Sequence, residues 1–379
     1  MIDTLTRNAV DVLPAGGLEE KLKLGRPLRV KLGIDVTSPD LHVGRGIPLQ
    51  RMRAFQDAGH LGVFIVGDYT ARIGDPSGRS AERPILSPEE IDANAKTYVD
   101  QAFTIVDPDR TEVRFNSEWL AGLDFPDVIR LTRTTTVAQI LEREDFSRRL
   151  AAQEPISVSE LLYPLMQAYD SVAIEADVEL GGTDQLYNLL AGREVMQSYG
   201  LEPQIVLTTP LLLSWDGEKM SSSVGNNIPL TAAPEEQFGR TMRIPDSQLE
   251  EWYRLVLERD VPAGEPMEAK LALARAIAAR SHGDEAASRA EEHFTRVVRE
   301  GQAPDEVAES ALPSGDPLHL PAVLAEAFGF STSEARRLIG QGGVKLDGAV
   351  VGELDVPRER LVGATLQAGK RRFARLREA

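Results

Sequence analysis

The chain has 379 residues, 42% hydrophobic and 27% charged, the balance of an ordinary globular protein of two or three domains. It has no cysteine, which excludes disulfides and thiolate metal sites; its five histidines show no close ligand pairing, and no apolar run approaches the roughly 18 residues that span a membrane. The net charge of −17 argues against indiscriminate nucleic-acid binding, yet residues 317–379 hold ten Lys/Arg against seven Asp/Glu while the rest holds 32 against 52. The first residues lack the basic and apolar regions of a signal peptide, so a cytoplasmic protein is expected.

"PLRVKLGIDV" (27–36) reads as a buried strand. After a short loop, a helix begins near His42 in "HVGRGIPLQRMRAFQDAGH" (42–60). Gly44 lets a ligand approach the backbone, the free N–H groups of a helix start favour an anion, and His42 and Arg45 add donors. A phosphate suits such a place, although a surface histidine beside a capping glycine would look the same. "HLGVFIVGDYTARIGDPSG" (60–78) is a second apolar strand running into a loop rich in Gly and Asp. Strand, helix and strand in this order make a parallel βαβ unit, and open α/β sheets bind ligands at the loops on the carboxyl ends of their strands.

From about 85 to 160 the pattern turns helical, opening with a Ser-Pro-Glu-Glu cap at Ser87. "LLYPLMQAYD" (161–170) places Tyr163, Gln167 and Asp170 at i, i+4 and i+7, a polar stripe on one helix face amid apolar neighbours. That stripe suits a pocket for a polar small molecule, or a buried network satisfying its own hydrogen bonds. "IEADVELGGTDQ" (174–185) is a further strand ending in a Gly-rich loop, with "LYNLLAGREVMQSYG" as its helix. Gly181 and Gly182 permit close backbone approach, and Asp184 suits ribose hydroxyls; a tight turn with an N-capping Thr or Asp is the competing explanation. "QIVLTTPLLLSWDGEKMSSSVGNN" (204–227) gives one more strand and a polar loop whose single cation, Lys219, can close over a polyphosphate. Residues 230–305 are almost wholly helical in pattern, 309–316 read as a linker, and a compact segment follows.

With these motifs laid out in order, the chain resembles the bacterial tyrosyl-tRNA synthetases, class I aminoacyl-tRNA synthetases, over nearly its whole length. His42-Val43-Gly44-Arg45 matches the family's His-x-Gly-His signature, and Lys219-Met220-Ser221-Ser222-Ser223 matches Lys-Met-Ser-Lys-Ser. "GDYTARIGDPSGRS", "LLYPLMQAYDSVAI" and "GGTDQ" are also family-like and in the right order. "STSEARRLIGQGGVKLDGAVV" resembles the S-four-type RNA-binding module that closes many bacterial members. Two positions depart from the signatures: Arg45 stands for the second histidine and Ser222 for the second lysine.

The resemblance implies an α/β fold: a Rossmann-like parallel-sheet catalytic domain at 1–228 with a helical connective and dimerisation insert at about 105–160, an α-helical anticodon-side domain at 229–308, the linker at 309–316, and a small α+β RNA-binding module at 317–379. It implies a homodimeric tyrosine–tRNA ligase acting on ATP with Mg2+, L-tyrosine and tRNA(Tyr), without a protein-held metal and away from membranes. His42, Gly44, Arg45, Lys219 and Thr37 would surround the phosphates, with Arg79 and Arg83 as later-arriving partners of pyrophosphate. Gly33, Asp35, Gly182, Asp184, Met220 and Ser222 complete the implied ATP site. Tyr163, Gln167 and Asp75 match positions that hold the tyrosine ammonium, Thr70 and Gln185 line the same pocket, and Asp170 matches the carboxylate that accepts the phenol hydroxyl. Lys31 aligns with a second tyrosine that donates to the phenol, and it could donate or point elsewhere. Arg336, Arg337 and Lys345 would face RNA. The alternatives are a tryptophanyl relative, a synthetase-like RNA-binding or regulatory protein with reduced catalysis, and a paralogue that delivers tyrosine to an acceptor other than tRNA.

Overall fold

The computed structural model describes residues 1–76, 87–300, 307–369 and 372–378. The chain forms two compact units, Met1–Ala233 with Arg240–Leu273, and Pro234–Gly239 with Ala274–Ala379.

The first unit is built on six strands: β1 (Asp11–Leu13), β2 (Arg29–Asp35), β3 (Leu61–Gly67), β4 (Thr111–Phe115), β5 (Val178–Gly182) and β6 (Ile205–Thr209). They lie in the order β1-β6-β5-β2-β3-β4, parallel throughout except for β1, which closes the edge antiparallel to β6. The expected α/β class with a Rossmann-like sheet is thus the one found. Val30, Leu32 and Ile34 of β2 and Val63 to Val66 of β3 are buried, which accounts for the unbroken apolar runs of these central strands. From β2 the chain moves outward to β3 and β4, then crosses back to place β5 on the other side of β2. The carboxyl ends of β2 and β5 therefore flank a switch in strand order, where open α/β sheets leave a crevice for ligands.

Four helices frame that crevice. α1 (Val43–Asp57) follows β2 and turns Ile47, Leu49, Met52 and Phe55 into the core. α2 (Pro88–Ala102) starts at the predicted cap: the Ser87 hydroxyl accepts from the Glu90 N–H at 3.2 Å, and the Glu90 carboxylate accepts from the Ser87 N–H at 2.8 Å. α3 (Val158–Ala173) carries the polar stripe, and α4 (Leu186–Ser198) packs along α3.

Two stretches differ from the sequence expectation. The segment read as helical from 85 to 160 contains β4, which pairs in parallel with β3. "TEVRF" is a short sheet-edge run, half-buried at all five residues, so it shows no buried face for alternation to reveal. The insert helices begin only at Ser117, with Ser117–Leu120, Phe125–Thr132, Val137–Leu141 and Glu144–Ala151. The second difference lies in the 309–316 stretch. Glu309–Ala311 there is an edge strand, parallel to Arg372–Arg377, in a five-stranded sheet of the second unit. Its neighbours Val344–Leu346, Ala349–Val350 and Thr365–Ala368 complete the sheet. Leu320, Val323, Leu324 and Ile339, from the helices Leu320–Phe328 and Thr332–Gly340, pack with Val344, Leu366 and Leu376 into one core.

Candidate active site

The nucleotide-suited loops meet at the carboxyl ends of β2 and β5. Gly33 is exposed in the middle of β2, and a Cβ there would meet nothing nearer than Ile65 Cβ at 3.9 Å, so the sheet presents bare backbone at this point. Thr37 lies in the loop that follows β2, half-buried. His42 is the N-cap residue of α1, in extended conformation, but its ring does not cap the helix. The imidazole instead lies against Gly44, where an added Cβ would stand 3.2 Å from His42 Nδ1; the glycine makes room for the ring. His42 is buried and its Nδ1 has no hydrogen-bond partner among the described residues. Burial, then the positive charges of Arg45 and Lys219, push its pKa down to about 3, so it presents a neutral ring with donor capacity left over. Arg45, on the first turn of α1, is half-buried.

At the end of β5, Gly182 leaves space for its neighbours: a Cβ would stand 2.7 Å from Asp184 Oδ1 and 2.8 Å from Leu211 Cδ2. Asp184 pairs with the Lys219 ammonium, which links the Gly-rich loop to the lysine loop. The base of that loop is fixed. Trp252 Nε1 donates to the Leu213 carbonyl at 3.0 Å, the Met220 N–H donates to the Leu212 carbonyl at 3.0 Å, and Met220 is buried. Asn226 laces the return arm: its Oδ1 accepts from the Ser221 N–H at 2.8 Å, and its Nδ2 donates to the Asp216 carboxylate at 3.0 Å and to the Lys219 carbonyl at 3.2 Å. Ser222 Oγ accepts from Asn227 Nδ2 at 3.2 Å. His42 and Lys219, far apart in sequence, thus lie close enough for one charge to act on the other ring.

The second half of the site runs along α3. Tyr163 donates its hydroxyl proton to Asp35 Oδ2 at 2.9 Å, and Thr70 donates to Asp35 Oδ1 at 2.7 Å, so the end of β2 is clamped from two sides. Gly67 is required there, since a Cβ would come within 2.3 Å of Asp35 Oδ1. Gln185 Nε2 donates to Asp75 Oδ2 at 2.8 Å. Behind it, Asn188 Nδ2 donates to Gln185 Oε1 at 3.0 Å, and Arg143 donates to Asn188 Oδ1 at 3.0 Å. Gln167 Oε1 is buried without a hydrogen-bond partner among the described residues, an acceptor in want of a donor. Asp170, one turn further, is buried and its pKa is pushed up to about 7, mainly by burial; Lys31, Trp119 and Asn116 act in the other direction.

Lys31 is the exception among the expected pocket residues. It is fully buried in β2, and its three ammonium protons go to the Gln167 carbonyl at 2.8 Å, Ser171 Oγ at 2.7 Å and Glu179 Oε1 at 2.7 Å. An ammonium has three donors and no more, so Lys31 is part of the floor beneath α3 and has nothing left to offer a phenol. Arg79 and Arg83 lie outside the described residues. Asn116 and Trp119, which the sequence reading passed over, both contact Asp170 from the carboxyl end of β4. Their signal was the position of "NSEW" just after a strand, invisible while that strand went unrecognised.

In the second unit, Arg336 and Arg337 are exposed on the helix Thr332–Gly340, and Arg336 approaches His319 Nε2 at 3.3 Å. Lys345 is half-buried in the strand Val344–Leu346. Among the described residues no group of three or more His, Asp or Glu side chains is placed to hold a metal ion.

Known proteins resemble this chain in sequence and in fold. Residues 23–303 match the family described as tRNA synthetases class I (W and Y). A protein of Moorella thermoacetica named tyrosine–tRNA ligase is 46% identical over 98% of this chain and 94% of its own length. One of Thermotoga maritima with the same name is 45% identical over 99% of this chain and 96% of its own. The crystal structure of a tyrosyl-tRNA synthetase complexed with L-tyrosine, from Archaeoglobus fulgidus, superposes with a TM-score of 0.64 at 24% identity, covering 76% of this chain and 98% of that one, a likeness of fold. A parallel sheet that brings a histidine-led helix start up to a distant lysine loop, in a chain this similar from end to end, belongs to the class I tRNA synthetases of the tryptophan and tyrosine branch.

Proposed function

We propose that the protein is a tyrosine–tRNA ligase that activates L-tyrosine with ATP and passes it to the terminal adenosine of tRNA(Tyr). In the first step a carboxylate oxygen of tyrosine attacks the α-phosphorus of ATP, the bond to the bridging oxygen breaks, and pyrophosphate leaves with the electron pair. In the second, a ribose hydroxyl of the tRNA attacks the carbonyl of tyrosyl-adenylate and AMP departs. The chain contributes positioning and charge stabilisation and forms no covalent intermediate.

The carrying observation is that His42 and Lys219 share one end of the site with Asp184, while the buried Asp170 closes the other. His42 donates to the phosphates as a neutral ring, and Arg45 and Lys219 supply the cations. Gly33, Gly44 and Gly182 let the nucleotide lie against backbone. Asp184 takes the ribose, while Thr37, Met220 and Ser222 shape the walls. Arg79 and Arg83 belong to the same reading as partners of the departing pyrophosphate. Mg2+ would arrive on the triphosphate, held by phosphate oxygens and water, as suits an ion that sheds its waters reluctantly. Asp75, Tyr163 and Gln167 face the tyrosine ammonium, with Gln167 Oε1 as the waiting acceptor and Thr70 and Gln185 as supports, while Asp35, held by Tyr163 and Thr70, belongs to the ATP side. Asp170 accepts the phenol hydroxyl, which favours tyrosine over tryptophan or phenylalanine, because either would leave a buried carboxylate unmatched.

The exposed apolar side chains of the insert, Phe125 at 75%, Ile129 at 45% and Val158 at 74%, suit a face buried in a homodimer. Domain limits near 228 and 308 remain our assignment, with the RNA-binding module taking Arg336, Arg337 and Lys345 to the tRNA and counting Glu309–Ala311 within its sheet. No helix among the described residues is long and apolar enough to cross a membrane, and a cytoplasmic site of action fits substrates that are ATP and tRNA. The test is ATP–pyrophosphate exchange over a panel of amino acids, followed by charging of bacterial tRNA. Exchange with tyrosine alone and charging of tRNA(Tyr) is the expected result; exchange with tryptophan, or none with any amino acid, overturns the reading.

A further inference from the structure

Lys219 rides on a small hairpin. The Ser214 N–H donates to the Glu218 carbonyl at 2.8 Å and the Gly217 N–H to the Ser214 carbonyl at 3.0 Å, with Gly217 at φ 82° making the turn. Asp216 tightens it by accepting from the Glu218 N–H at 3.1 Å. Lys219 follows directly and pairs across the hairpin with Leu213. Since Ser222 stands where the signature has a lysine, Lys219 is the only Lys or Arg between 213 and 227. The charge this loop can bring to a departing pyrophosphate therefore depends on where the hairpin sits.

The segment 240–252 holds the hairpin from outside the loop. Trp252, wholly buried, donates from Nε1 to the Leu213 carbonyl at 3.0 Å, and Gln248 Nε2 donates to the Ser214 carbonyl at 3.1 Å. Both bonds grip the outgoing arm, and neither reaches the turn. Asn226 does reach Asp216, but it is part of the loop, so that bond closes the loop on itself. Arg243 meets the turn from outside: its guanidinium carbon stands 3.9 Å from the centroid of the Trp215 ring. This is the shortest arginine–aromatic contact among the described residues; the next, Arg130 over Tyr199, is at 4.3 Å. A guanidinium is planar and weakly hydrated, so it can lie on the electron-rich face of an indole while keeping its other side in water. That suits the pair, since Trp215 is half-buried and Arg243 exposed. The same charge acts on Asp216, the next residue of the turn.

We propose that Trp215 and Arg243 are positioning residues: their stack docks the turn of the lysine hairpin on the segment 240–252 and so fixes where Lys219 stands as pyrophosphate leaves. The inference rests on the reading of Lys219 as a partner of the phosphates and deepens it. Neither side chain is asked to touch substrate; each acts through the hairpin. With the stack broken, the arm stays tied at Leu213 and Ser214 while the turn swings, and Lys219 spends less time within reach of the phosphates. The chemical step then slows, and the tyrosine pocket is untouched.

The test is a double-mutant cycle of Trp215→Leu and Arg243→Gln in the full chain. It is read by ATP–pyrophosphate exchange and by hydrogen exchange of the backbone amides between 213 and 220. A partly exposed cation–π contact predicts that each single variant lowers kcat roughly three- to tenfold and leaves the KM for tyrosine unchanged. The double variant should fall no further than the worse single one, because both changes remove the same contact. The hairpin amides should exchange faster by a similar factor in all three. Single variants within about twofold of the wild type, or losses that multiply in the double variant, overturn the proposal. So does a KM for tyrosine that rises with the loss, as general damage to the fold would cause, and so do hairpin amides that exchange at wild-type rates. Failure of the wild-type protein to activate tyrosine overturns instead the reading of Lys219, and amide exchange alone then decides on the docking.

Discussion

Removing the Lys31 ammonium would leave the Glu179 carboxylate buried with no counter-charge, since the pair is almost wholly shielded from water. Lys31→Met should therefore cost about 3–5 kcal/mol in urea unfolding, and adding Glu179→Gln should restore much of it. A single variant as stable as the wild type would contradict the role of the pair. Asp170 carries the opposite liability. Its folded pKa of about 7 lies above the ordinary 3.8, so the folded protein keeps a proton that the unfolded chain has released. Its contribution is intact below about pH 4 and is lost as pH rises to 7, a loss on the order of 4 kcal/mol. Asp170→Asn should flatten this part of the stability–pH curve while lowering kcat/KM for tyrosine roughly a hundredfold. In the wild type the same ionisation should make kcat/KM for tyrosine climb through about pH 7. These two residues also mark what a sequence can tell. The stripe of Tyr163, Gln167 and Asp170 was legible because a helix repeats on a fixed period. The capture of Lys31 was not, because Glu179 lies on another strand and only the sheet brings them together.

At the scale of elements, the lysine loop is buried at its base and exposed at its tip. Asp216, Gly217, Glu218 and Lys219 are exposed, whereas Ser214, Met220 and Asn226 are buried. Asn226 is the fastening, so Asn226→Ala should reduce kcat for pyrophosphate exchange about tenfold or more and leave the KM for tyrosine near its original value, because each lost hydrogen bond is worth about 1 kcal/mol in holding Lys219 in register. A KM for tyrosine that rises with the loss would place the defect in the amino-acid pocket instead. The loop and its strand were readable from an apolar run followed by Gly, Ser and Asn. β4 was not, because a short, half-buried edge strand between helices shows neither a continuous apolar run nor a buried face. Missing it hid Asn116 and Trp119, although both stand where an α/β sheet keeps its working residues.

On the scale of the whole molecule, a net charge of −17 coexists with a locally basic C-terminal segment. Deleting the chain from residue 307 onward should spare tyrosine-dependent pyrophosphate exchange and weaken tRNA charging, and the charging of the full chain should fall with added salt more steeply than its exchange does. Equal loss of both activities on truncation would separate the tail from RNA. The cut must precede Glu309, because Glu309–Ala311 is an edge strand of the tail's own sheet and the Leu312 N–H donates to the Arg377 carbonyl at 2.9 Å. That ladder gives the junction an unusual tolerance. A protease that clips the backbone between 312 and 317 would sever the polypeptide without parting its fragments, because the upstream stub remains stitched to the last strand, and the nick would show on a denaturing gel while gel filtration registered an intact particle.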